Sequence, residues 1–177
     1  MLYILFQLLM INEQLTAATR GILIIDVSGS LSRVDEEGIA RAEATEALCF
    51  VVEGSQLGMV WFAETSTLKQ PLTVVTKDNR TIFSQLMRQS ALPQGGYTEI
   101  GIGLQEALKV LQQAKQPEDR LWVLLVSDGE LNADEKRGED SNLKAFNQLF
   151  NEIVPMYKEE GIPIHTIGLL QQDEQTF

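Results

Sequence analysis

Three separated stretches carry side chains able to act together. Asp26-Val27-Ser28-Gly29-Ser30 closes an apolar run. In an extended segment, side chains two residues apart point the same way, so Asp26, Ser28 and Ser30 converge, with Gly29 permitting a tight bend. Thr98 follows the pair Gly95-Gly96 and opens an amphipathic stretch, and Asp128 closes a second apolar run. Together these are two carboxylates and three hydroxyls. Such hard oxygen donors suit Mg²⁺, Mn²⁺ or Ca²⁺ and do not suit zinc or copper.

Other chemistries are poorly supplied. The one cysteine, Cys49, excludes an internal disulfide framework and a cysteine-based zinc site. The one histidine, His165, excludes paired-histidine metal centres. A serine-hydrolase elbow centred on Ser28 needs glycine where Asp26 stands, and no phosphate-binding P-loop pattern occurs. A Mg²⁺-dependent phosphohydrolase of haloacid dehalogenase type would use Asp26 as nucleophile, but that class places a second aspartate where Ser28 stands. The chain has 14 basic against 25 acidic residues, a net charge of −11. With no basic cluster, nucleic acid is excluded as an expected partner.

The elements that must position these groups follow from hydropathy patterning. The 177 residues, with 44% hydrophobic content, suit one globular domain. Residues 21–27 (GILIIDV) and 121–126 (LWVLLV) are unbroken apolar runs, as in strands buried on both faces of a parallel sheet. Residues 56–63 and 67–75 are strand-like, and the short link between them predicts an antiparallel hairpin. Pro71 places the second of these strands at a sheet edge. Helices are expected over 35–52, 79–88, 98–114 and 142–160. A last strand covers 162–169, and Gly161 takes the position of a helix C-cap. Alternating buried strands and amphipathic helices predict an α/β fold with a doubly wound, mostly parallel sheet and one antiparallel edge strand. Its functional crevice lies beyond the carboxyl ends of the strands, where the three oxygen-bearing loops fall.

The motifs Asp26-x-Ser28-x-Ser30, Thr98 and Asp128 resemble the metal-ion-dependent adhesion site of von Willebrand factor type A domains. Their surroundings, GILIIDVSGS, MVWFA, GGYTEIGIGLQEAL, LLVSDGE and IHTIGL, fall in that family's order. The resemblance runs from about Gly21 to Leu170. It implies a Rossmann-like fold and a non-enzymatic, metal-dependent protein-binding module. Ser28, Ser30 and Thr98 would touch Mg²⁺ or Mn²⁺ directly (Ca²⁺ is less suited), and Asp26 and Asp128 would act largely through water. A partner's Glu or Asp would complete the coordination. Tyr97, Glu99 and Glu130 stand beside the site as candidate partner contacts. The chain departs from the family pattern at Leu31, Tyr97 and Glu99. Only seven residues follow Leu170, so the family's last strand and final helix are missing from the expected fold.

Two domain-level assignments follow. Residues 21–177 form the domain. Residues 1–20 form an apolar N-terminal segment, either an element covering the sheet or a remnant of a targeting sequence. The run 1–11 is too short to span a bilayer, though it leaves membrane association open, and no basic residue precedes it. The compartment is left open, with the cytoplasm slightly favoured. The bland alternative to a metal site is a structural domain in which Ser28 and Ser30 merely cap a helix and Asp128-Gly129 forms an ordinary turn. Cys49, Trp61 and Trp122 are expected in the core, and His165 in a structural role.

Overall fold

The computed structural model describes residues 19–33, 35, 37–91, 96–128 and 141–169. The two unbroken apolar runs become the inner strands β1 (Thr19–Asp26) and β4 (Arg120–Ser127). Between them in sequence come α1 (Ile39–Val51), β2 (Gln56–Phe62), β3 (Ser66–Val74), α2 (Arg80–Gln89) and α3 (Ile100–Ala114). After β4 follow α4 (Ser141–Gln148), a π-helical turn (Leu149–Ile153), α5 (Val154–Glu159) and β5 (Ile164–Gly168). The five strands lie in the order β3-β2-β1-β4-β5. β2, β4 and β5 join the sheet in parallel, and β3 alone runs antiparallel.

This is the doubly wound, mostly parallel sheet expected from the hydropathy pattern, with Pro71 on an edge strand as its missing N–H requires. The β2–β3 register slips between Leu57 and Met59, opposite the Gln70–Thr73 segment that holds Pro71. A bulge there lets the strand pass the proline without a ladder bond.

Alternation along the strands divides the core into two layers. Leu23 and Ile25 of β1, with Leu124 and Val126 of β4, pack under α1 and α2 against Leu48, Cys49, Phe83 and Met87. Ile22, Ile24, Val123 and Leu125 face the other way, onto Leu104, Leu108 and Leu111 of α3 and onto Leu149, Ile153 and Tyr157. Trp61, Trp122 and Cys49 lie in the core as expected. α3 comes so close to the sheet that a Cβ at Gly103 would sit 2.8 Å from the Phe62 ring. Gly161, at φ +67°, turns the chain from α5 toward β5 in the left-handed conformation that glycine tolerates.

Helix boundaries depart from expectation at the loops that matter. The helix expected from residue 35 begins only at Ile39, because the chain first makes a 3-10 turn over Gly29–Arg33. The helix expected from Thr98 begins at Ile100, which leaves Thr98 in the connecting segment. The expected uninterrupted helix over 142–160 is split by the π turn. Pro155 has no N–H for the carbonyl four residues earlier, and the widened ladder just upstream accommodates that loss.

Candidate functional site at the carboxyl ends of β1 and β4

The chain runs outward from β1 to β2 and β3, then returns to place β4 on the other side of β1. The boundary between β1 and β4 is therefore the topological switch point, where open α/β sheets leave a crevice. Asp26 is the last residue of β1 and Ser127 the last of β4, and Ile25 pairs with Val126 just below them.

Asp26 is fully buried. Its Oδ1 accepts the Ser28 backbone N–H at 2.8 Å, and its Oδ2 accepts the Ser127 hydroxyl at 2.7 Å. Burial pushes its pKa above the ordinary carboxylate value, opposed by hydrogen bonds from Ser28 and Ser127 and reinforced by the negative charge of Asp128. Among the described residues, no basic side chain is among the groups that shift it. The result is an acid held rigidly in low dielectric with a second carboxylate close by, an arrangement costly unless a cation compensates it.

The Ser28 and Ser30 hydroxyls lie 3.0 Å apart. Ser28 is buried and Ser30 half-buried, so the pair sits at the mouth above Asp26. The expected convergence of Asp26, Ser28 and Ser30 thus follows from a tight turn at the end of β1.

The Thr98 segment lies along the end of β2, the strand that pairs with β1. The Val27 N–H donates to the Phe62 carbonyl at 2.9 Å, and the Glu99 N–H donates to the Ala63 carbonyl at 3.1 Å. Consecutive carbonyls therefore hold the Ser28 loop and the Thr98 segment against one strand end. The Gly96 N–H donates to Glu64 Oε1 at 3.0 Å and tethers the approach to Thr98. Thr98 is buried, and Tyr97, Glu99 and Asp128 are half-buried. Glu130 lies outside the described residues, as do residues 1–11, the acidic run 134–140 and the chain beyond 169.

Two contributors escaped the reading of the sequence. Ser127 was passed over for its neighbour Asp128, although both end the same apolar run. Glu64 lay in what looked like a plain hairpin turn. Among the described residues, no three His, Cys, Asp or Glu side chains converge as metal ligands would. Any cation here relies on hydroxyls with carboxylates behind them. An aspartyl nucleophile would need a reachable oxygen, and Asp26 exposes none.

A doubly wound, mostly parallel sheet with Asp26 and Ser127 joined at its switch point defines an open α/β domain. The von Willebrand factor type A domain model matches residues 22–130, and the chain belongs to that family of protein-interaction modules, which are generally non-enzymatic. It is 27% identical over 148 residues to calcium-activated chloride channel regulator 1 of Bos taurus, covering 83% of this chain and 14% of that protein. Among solved structures, the conserved hypothetical protein BatB of Bacteroides thetaiotaomicron superposes with a TM-score of 0.62 at 18% identity, over 86% of this chain and 66% of that one. A von Willebrand factor type A protein from Catenulispora acidiphila gives 0.59 at 18% identity, over 85% and 39%. The chain thus spans about a seventh of its bovine relative. No helix among the described residues is long and apolar enough to cross a membrane.

Proposed function

We propose that this domain binds Mg²⁺ or Mn²⁺ at the carboxyl ends of β1 and β4 and captures an acidic side chain of a protein partner there. The observation that carries this reading is Asp26: wholly buried, fixed at both oxygens, and overlain by the paired hydroxyls of Ser28 and Ser30. The donor set is of hard oxygens throughout, which fits these cations. When bound, the cation would supply a Lewis-acid centre with a coordination position open to a carboxylate oxygen.

The protein's own groups divide the work. Ser28, Ser30 and Thr98 offer neutral oxygens, which leave most of the cation's charge for the guest. Asp26 and Asp128 supply the compensating negative charge from behind, through water. Tyr97, Glu99 and Glu130 are placed by sequence to meet the partner around the rim.

The net charge of −11 disfavours an acidic partner surface. Exposed charges are screened beyond about 8 Å at physiological salt. The reading is therefore a neutral or basic partner that presents one carboxylate. Partner capture in Mg²⁺ followed by EDTA elution tests it. Release by EDTA and loss of capture in Asp26→Ala support it; capture unaffected by both contradicts it.

A further inference from the structure

Arg41 is the largest of the fully buried side chains, 2% exposed, although it is a cation on the apolar face of α1. Its Nε donates to Asp35 Oδ2 at 2.9 Å, and its Nη2 donates to the Asp35 carbonyl at 3.0 Å. Its backbone N–H also reaches Asp35 Oδ2, at 3.1 Å. Nη1 donates to Ser90 Oγ at 3.3 Å, and that hydroxyl donates onward to the Met87 carbonyl at 2.6 Å.

The two partners belong to different arms of the site. Asp35 stands two residues after the 3-10 turn that contains Ser30, and its N–H is bonded to the Leu31 carbonyl at 3.0 Å. Ser90 is the C-cap of α2, from which the chain proceeds to Thr98. Arg41 also lines a cavity of about 40 Å³ together with Leu124 and Val126, the β4 residues that lead to Ser127 and Asp128. One guanidinium therefore bridges Asp35, on the chain that follows the Ser28–Ser30 turn, and Ser90, at the end of α2, while Arg41 faces the same cavity as β4. A buried ion pair is a weak source of stability, since apolar replacements of similar volume are often neutral or stabilising, but it can enforce one geometry.

We propose that Arg41 is a positioning residue: through Asp35 and Ser90 it sets the spacing between the Ser28–Ser30 turn and the segment that brings Thr98. This rests on the metal-binding reading above, and one arm of its test does not. The planar fork is essential to the proposal, because a lysine ammonium cannot donate to Asp35 and Ser90 from the same fixed plane.

The experiment uses the full chain and the variants Arg41→Met, Arg41→Lys and Ser90→Ala, with Mn²⁺ as probe. Mn²⁺ affinity is read by the paramagnetic resonance of the free ion. Amide exchange is read at Gly96 and Glu99, with Ile24 and Val123 as internal controls. The expected result for Arg41→Met is about a tenfold or greater loss of Mn²⁺ affinity, the size typical of groups that orient metal ligands. Gly96 and Glu99 exchange faster by a similar factor while the strand amides are unchanged. Arg41→Lys recovers part of both losses. Ser90→Ala shows a smaller loss of the same kind, and it serves as the deciding variant should Arg41→Met fail to fold. Affinity and exchange within twofold of the unaltered chain in the folded variants would overturn the proposal. Failure of the unaltered chain to bind Mn²⁺ would defeat the metal reading instead, and the exchange arm would still decide the role of Arg41.

Discussion

The Ser127 hydroxyl donates to Asp26 Oδ2 at 2.7 Å, joining residues 101 apart in sequence across the ends of two adjacent parallel strands. Both groups are buried, so this bond fixes the orientation of the carboxylate at the ends of the two strands. The Ser28 N–H holds the other oxygen. Through Ser28 the paired serine hydroxyls are tied to this fixed acid.

Ser127→Ala removes that donor and leaves a buried carboxylate oxygen unpaired. The expected loss is about 1–3 kcal/mol of unfolding free energy without metal, the usual penalty for stranding a buried polar group. Urea unfolding in EDTA measures it. A change within error of zero would show that the bond does not hold the acid in solution.

Asp26→Asn separates stability from binding. The amide oxygen still accepts the Ser28 N–H, and the uncompensated buried charge is gone. Because burial is the main force raising the Asp26 pKa, the neutral side chain is expected to leave metal-free stability unchanged or raised. The stabilisation conferred by Mn²⁺ should vanish in the same variant. Melting with and without Mn²⁺ reads both effects, and a strongly destabilised but Mn²⁺-responsive variant would contradict the assignment.

His165, on the edge strand β5, has its pKa lowered from 6.5 by burial. The unfolded chain therefore takes up its proton first as pH falls. This group's contribution to stability is complete above about pH 6.5, is lost as pH drops from there to the folded value, and is level below. His165→Gln should flatten the part of the stability profile that lies below pH 6.5. Urea midpoints at about pH 7.5 and pH 5 compare the two proteins. Identical acid losses in both would remove His165 as the cause.

Burial on the sheet-facing side of α1 pushes the Cys49 thiol up to about 12, with the charge of Glu46 adding to the effect. A thiol reagent at about pH 8 should react on the order of a thousandfold more slowly with the folded chain than with the chain in urea, since only the thiolate attacks. Equal rates would place Cys49 outside the core.

The strands were legible because burial on both faces removes polar residues from them. Ile22 to Ile25 and Leu121 to Val126 carry none, so length and flanking turns sufficed to place them. Pro71 marked its own edge for a local reason, the missing N–H. Asp26 stood out as a candidate because it closes an apolar run, and its burial at the end of β1 follows from that position. What escaped was decided by long-range contacts. Arg41 sits at helical spacing from Leu48 on the core face of α1, and Asp35 and Ser90, from two other segments, pair its guanidinium there. The same Asp35–Arg41 grip, with Gly38 at φ +64°, delays α1 to Ile39. Ser127 needed a partner 101 residues away, and no local pattern announces such a pairing.

The account turns on the proposal that a divalent cation is held by Asp26, Ser28, Ser30, Thr98 and Asp128. Titrating the isotopically labelled chain with Mn²⁺ and following paramagnetic broadening of its amide signals tests this most directly. The expected result is saturation at one ion per chain. Broadening should centre on Ser28, Ser30, Thr98 and Ser127, spare Gly21 and Arg120 at the opposite ends of the strands, and disappear in Asp26→Asn. Absence of saturable binding, or broadening centred elsewhere on the acidic surface, would contradict the assignment of this crevice as a metal-dependent docking site.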